Sequence, residues 1–120
     1  MSLSIEIRSI DHIIVLEVAG RLELMERGFS LLVEELIGRG ERHFIVNLAN
    51  VSFMDNSGLG RLCMLYTLAK NRGGDMKLLK PTPRIRKILR ITRLDTVFQL
   101  FESEAEAIRS MPALTTTVSA

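Results

Sequence analysis

Two short apolar runs, Phe44 to Leu48 and Met76 to Leu79, show little alternation and so predict strands covered on both faces. Between them, Leu59, Leu62, Cys63, Tyr66 and Ala69 recur at helical spacing from Ser57 to about Arg72, where Gly73 and Gly74 stop the pattern. Strand, helix and strand in that order form a right-handed parallel crossover, which commits the chain to the α/β class.

The flanking segments fit that frame. Small and apolar residues alternate with charge from Ser4 to Ile7, and after the corner Ser9 to Asp11 an apolar run from Ile13 to Val18 ends at Gly20, which predicts a hairpin. Phe29, Leu32, Val33, Leu36 and Ile37 then mark one face of an amphipathic helix that stops at Gly38 and Gly40. Thr82 followed by Pro83 is a strong helix start, and Ile85, Ile88 and Leu89 supply the apolar face behind it. A brief strand near Phe98 to Phe101 and a helix from Ser103 to Arg109 complete one domain over 1–111, with 112–120 read as a flexible tail.

Length and composition limit the function classes. At 120 residues, 47% hydrophobic and 25% charged, the chain is sized for a single domain with a real core. Its formal net charge is only +2, too weak a field to argue for nucleic acid or an anionic membrane as partner. Cys63 is the one cysteine, so no intramolecular disulfide forms and no Cys cluster can hold zinc; a reducing cytoplasm is the expected setting. No leader pattern opens the sequence, and no apolar run approaches the roughly 20 residues that cross a bilayer.

Attention therefore falls on Phe53 to Gly60, FMDNSGLG. Ser57 sits where a helix leaves the carboxyl end of a parallel strand, the place where open α/β sheets commonly carry functional groups. Two readings of Ser57 stand open. It is an N-cap, or it is a cap that also accepts a phosphoryl group, whose charge the first-turn N–H groups and the helix dipole would favour. Asp55 can order the turn, orient the hydroxyl or repel a phosphate. Gly58 and Gly60 cost a helix up to about 1 kcal/mol each relative to alanine, which points to a backbone or contact requirement, such as close approach of another protein to Ser57.

The run FIVNLANVSFMDNSGLGRL, residues 44–62, resembles the centre of the STAS domain, specifically that of bacterial anti-sigma factor antagonists. GRLE after the hairpin, GGDMKLLKPTPRIRKIL and RLDTVFQLFESEAEAI follow the family's order and spacing, so the resemblance spans most of the chain. It implies a mixed sheet of four to five strands with about four helices. It also implies that Ser57 is the phosphoacceptor for a partner that is both serine kinase and anti-sigma factor. The unphosphorylated protein would bind that partner and free a sigma factor, and a phosphatase would restore it. Asp55, Asn56, Gly58, Leu59, Gly60 and Arg61 would lie near the contact, and a homodimer is compatible with the pattern.

Two departures stand out: Asn56 replaces a second serine common in relatives, and Glu23 stands where Asp is common, leaving the first helix without a short capping residue. Arg61 places a cation near the positive end of its helix, which calls for pairing or for solvation. A second role for STAS-like chains stays open, that of an accessory subunit of membrane transport machinery or of a ligand-binding module without phosphorylation.

Enzyme readings find little support. A G-x-S-x-G elbow would need glycine at the positions of Asp55 and Leu59, and both histidines precede Ser57. Neither a GxxxxGK[ST] phosphate loop nor a GxGxxG fingerprint occurs. No catalysis, cofactor or metal is expected. His12 and His43 are read as isolated surface or strand-edge residues, and Cys63 as core. Arg84, Arg86, Lys87, Arg90 and Arg93 are read as a solvated helix face, because nucleic-acid binding would need stacking aromatics and the chain has 5% aromatics and no Trp.

Overall fold

A computed structural model describes residues 3–23 and 27–112. Five strands lie in sequential order across one sheet: β1 (Ser4–Ile10), β2 (Ile13–Leu22), β3 (His43–Met54), β4 (Asp75–Leu79) and β5 (Leu100–Phe101). β1 pairs antiparallel with β2 as the expected hairpin, and every later pairing is parallel. Four helices complete the mixed α/β fold, α1 (Gly28–Gly38), α2 (Asn56–Asn71), α3 (Pro83–Ile91) and α4 (Glu104–Ser110), with one 3-10 turn at Leu94–Thr96. The expected tail after Pro112 falls outside the described residues.

Both faces of the sheet are covered, unequally. On one face, Ile14, Leu16, Val18, Phe44, Val46, Leu48, Met76 and Leu78 join the buried faces of α1, α2 and α3. On the other, Ile13, Val15, Ile45 and Leu79 form a smaller buried cluster with Ala107 and Met111, from α4 and the residue after it, against which the partly buried Ile10, Phe101 and Ile108 pack. This double cover is why Phe44 to Leu48 lacks alternation. Past Leu48 the second cover ends: Val51 and Met54 stay buried while Ala49, Asn50 and Ser52 are exposed, so β3 runs six residues beyond Leu48 with every third residue buried, a spacing that goes with two register shifts against β2 and that apolarity alone does not reveal. β2 likewise continues through Gly20, whose φ of 100° falls at a register shift between Gly20 and Arg21.

The helix ends follow local chemistry. Thr82 accepts a hydrogen bond from the Ile85 N–H at 3.3 Å with Pro83 opening α3, and Ser103 accepts from the Glu106 N–H at 3.3 Å to cap α4. α2 ends on Gly73 at φ 76°, and the Gly74 N–H returns to the Ala69 carbonyl at 2.8 Å. Ile85 and Leu89 are buried on α3, while Arg84, Lys87 and Arg90 face solvent and Arg86 pairs with Glu102. Cys63 is half-buried against the main core, and burial pushes its thiol pKa up.

The histidines are a correction. His12 and His43 are not isolated: their rings meet edge to face with centroids 5.0 Å apart. Parallel pairing of Ile13 with His43 brings them together from positions far apart in sequence. His43 is buried rather than at an edge, with no partner for Nδ1, and His12 Nε2 lies 2.9 Å from the Pro112 carbonyl oxygen. Burial first, then the neighbouring His12 and Arg42, lowers the His43 pKa from its ordinary value, against an opposing pull from Asp75.

Candidate functional site

The site forms where β3 hands over to α2. Asp55, not Ser57, is the N-cap: its backbone is extended, with φ −99° and ψ −175°, and its Oδ1 accepts from the Gly58 N–H at 2.8 Å. Its carbonyl accepts the first helical hydrogen bond, from the Leu59 N–H at 3.0 Å, and its own N–H donates to the Leu22 carbonyl at 3.3 Å. The helix therefore begins at Asn56, and Ser57 is its second residue, in the first turn and half-buried. Ser57 is thus relieved of the capping role that sequence assigned it.

The two glycines behave differently, which corrects the reading that both leave space beside Ser57. Gly58 is buried, and a Cβ there would stand 2.1 Å from the Leu22 carbonyl oxygen; its bareness lets α2 sit on the end of β2. Gly60 is exposed, and a Cβ there would meet nothing within 4 Å. Leu59 is 6% exposed and belongs to the core. Asn56, Ser57 and Gly60 are left as the accessible cluster, since positions three and four apart share a helix face.

Arg61 is half-buried and bonded, rather than solvated. Its Nε donates to Ser30 Oγ at 3.2 Å, and a terminal guanidinium nitrogen donates to the Glu23 carbonyl. It thereby ties the end of β2 and the first turn of α1 to α2. Glu23 turns its carboxylate to Arg21, 3.2 Å away, and Arg21 lies over the Phe53 ring at 4.1 Å from the centroid. α1 begins at Gly28 behind Arg27, which makes no side-chain cap hydrogen bond; Glu23 lies four residues before that cap position.

Neither histidine stands beside Ser57. His12 and His43 mark the starts of β2 and β3, and Ser57 follows the end of the 12-residue β3, roughly 35 Å along the strand direction. A groove of about 640 Å³ is lined by Asp11, His12, Ile13, Ile108, Arg109, Met111 and Pro112, at the opposite end of β2 from Ser57. Among the described residues no group of three or more His, Cys, Asp or Glu side chains is placed to hold a metal ion, and no helix is long and apolar enough to cross a membrane.

Comparison with known proteins agrees with this architecture. The sequence profile of the STAS domain matches residues 4–107. An anti-sigma F factor antagonist of Paenibacillus polymyxa is 26% identical over 113 residues, covering 92% of this chain and 97% of the relative. The crystal structure of an anti-sigma factor antagonist from Mycobacterium paratuberculosis superposes with a TM-score of 0.78 at 20% identity, covering 91% of this chain and 93% of that one. SpoIIAA, an anti-sigma factor antagonist solved in its unphosphorylated form, gives 0.73 at 24% identity over 88% of this chain and 93% of its own.

Proposed function

Because the chain belongs to the STAS domain family, we propose that it is an anti-sigma factor antagonist switched by phosphorylation of Ser57. Unphosphorylated, it binds a cytoplasmic anti-sigma factor that is also a serine kinase, and so releases a sigma factor; phosphate on Ser57 ends the contact until a phosphatase removes it. The observation that carries this reading is the division of labour in the first turn of α2: Asp55 caps the helix, which leaves Ser57 and the open position at Gly60 available together.

The physical basis of the off state is charge. A phosphate brings about −1.5 to −2 charges beside the Asp55 carboxylate, and in a close interface such a group must find cations or be desolvated at a cost of several kcal/mol. Asn56, Ser57 and Gly60 form the proposed contact, flanked by Asp55 and Arg61.

The test is phosphorylation by the anti-sigma factor kinase encoded nearest this chain's own gene, with mass spectrometry to place the phosphate. Modification of Ser57 alone is expected, and labelling of Ser52 or Thr67 with Ser57 untouched overturns the assignment. Ser57→Ala should keep kinase binding and Ser57→Asp should weaken it. Gly60→Leu should fold and fail to bind, whereas Arg84→Ala combined with Arg86→Ala should alter mainly salt-sensitive steering. Loss of binding only in the arginine pair would move the interface to α3.

A further inference from the structure

We propose that the groove at the outer edge of β4 is a binding site for a small carboxylate, held by the ammonium groups of Lys77 and Lys70. It lies by the starts of β3 and β4, at the other end of β3 from Ser57, and stands whether or not that serine is phosphorylated.

Lys77 is the residue that calls for a reason. It stands within β4 and is 6% exposed, although lysine is among the side chains least often buried. Its register partner on β3 is Ile45, and Leu79 follows two residues on along the same face, both in the smaller apolar cluster. An apolar side chain would suit such a position, and replacing a buried ion pair by one is often neutral or stabilising. The Lys77 stem takes the apolar place, while its head reaches Asp75 Oδ2 at 2.8 Å and Gln99 Oε1.

Room for a ligand opens beside that head. β5 pairs with β4 at Leu78 and Leu79, so among the described residues no strand covers the outer edge of β4 from Asp75 to Lys77. A groove of about 280 Å³ lies there, lined among others by Tyr66, Lys70, Asp75, Lys77, Thr96 and Gln99. That volume, just under the usual range for small-molecule pockets of roughly 300–1,000 Å³, suits a ligand of a few carbons.

Charge and donors select its chemistry. Asp75 is shared by two cations, since Lys70 Nζ lies 3.6 Å from its Oδ1 and also over the Tyr66 ring, so these groups carry one excess positive charge. An ammonium has three N–H donors, and Asp75 and Gln99 take two of those on Lys77. Gln99 gives its oxygen to Lys77, which leaves its amide N–H groups as further donors. A carboxylate brings one negative charge and two oxygens, matching both the excess charge and the adjacent donors. A phosphate dianion would leave surplus negative charge beside Asp75, and no arginine, the side chain that pairs bidentately with phosphate, is among the described lining residues.

The probe is lactate, titrated into the isotope-labelled full chain while NMR follows its backbone amides and lysine ammonium groups. Sodium chloride at matched ionic strength is the control, because screening alone moves exposed charges, and inorganic phosphate is the competitor. Lactate should shift the Lys77 and Lys70 ammonium signals and the Met76 and Val97 amides saturably, with a dissociation constant in the millimolar range. Lys77→Met should keep the fold and weaken lactate binding about tenfold or more, as loss of a charge-assisted bond does, and Lys70→Met should weaken it several-fold. Absence of saturable shifts, the same shifts with chloride, unchanged affinity in Lys77→Met, or phosphate binding more tightly than lactate overturns the proposal. If Lys77→Met fails to fold, Gln99→Leu replaces it, because Gln99 is exposed, and wild-type affinity for lactate in that variant overturns the proposal equally.

Discussion

Adding one methyl group at Gly58 should destabilise the domain, although alanine is the better helix former. A Cβ there would stand 2.1 Å from the Leu22 carbonyl oxygen and 2.9 Å from its carbon, about 1 Å inside a relaxed contact with the oxygen. Neither side can yield freely. The Leu22 carbonyl accepts the Asp55 N–H at 3.3 Å, and α2 is held by the Asp55 cap and by Leu59 and Leu62 in the core. Overpacking of this kind costs typically 1–3 kcal/mol, and loss of the Leu22 hydrogen bond about 1 kcal/mol more. The gain in helix propensity returns at most about 1 kcal/mol, so the net loss is about 1–3 kcal/mol. For a domain of this size that lowers Tm by about 4–12 °C.

Gly60→Ala is the matched control, because the same methyl group two residues on meets nothing within 4 Å and should stabilise by about 0.5–1 kcal/mol. Urea and thermal unfolding followed by circular dichroism compare the two, with an unchanged m-value confirming that the folded states are equivalent. Equal stability of the two variants, or a Gly58→Ala protein more stable than wild type, would refute the close approach of α2 to β2.

The capping assignment has its own signature. Asp55→Ala should cost about 0.5–2 kcal/mol, as an N-cap loss does, while Ser57→Ala should stay within about 0.5 kcal/mol of wild type; chemical denaturation of both separates the roles. pH supplies another. The His43 pKa is lowered in the folded protein, so the unfolded chain binds more protons; stability is full above the ordinary histidine value near 6.5 and is lost as pH falls through the lowered one. Asp75 acts in the same direction at lower pH: burial works against its ionisation, but Lys77, the Met76 N–H and Lys70 outweigh it, so its contribution is lost as pH falls below the usual carboxylate range. Thermal melts between pH 8 and 5 should show the histidine loss, and His43→Phe should flatten that part of the profile.

What sequence reveals here is what one element encodes by itself. The caps Thr82 and Ser103, the stop at Gly73 and the apolar stripes of α1 and α3 need only neighbours within a turn, and each is readable from spacing. The α2 cap lies two residues before Ser57 because Asp55 and Ser57 are both good capping residues, and the choice is made by the path of the chain out of β3, where the Asp55 N–H is anchored on Leu22. His12 beside His43, Gly58 on the Leu22 carbonyl and Arg61 on the Glu23 carbonyl each join residues more than 30 positions apart, and no periodicity encodes such a meeting.

These long-range contacts share β2 or the residues at its two ends, and this bears on how a regulatory surface is built. β2 lies between the hairpin strand and the parallel strands, and its last residues meet the start of α2 through the Leu22 carbonyl. Three of the residues that the motif gathers around Ser57 are engaged inside the protein: Gly58 accommodates the Leu22 carbonyl, Leu59 fills the core, and Arg61 holds Ser30 and the Glu23 carbonyl. The short motif therefore carries two kinds of information. Gly58, Leu59 and Arg61 fix where the first turn of α2 sits, and Asn56, Ser57 and Gly60 are what that placement exposes. A substitution in the first set should change stability, and one in the second should change binding with the fold intact; a variant series scored for both would separate two roles that are adjacent in sequence.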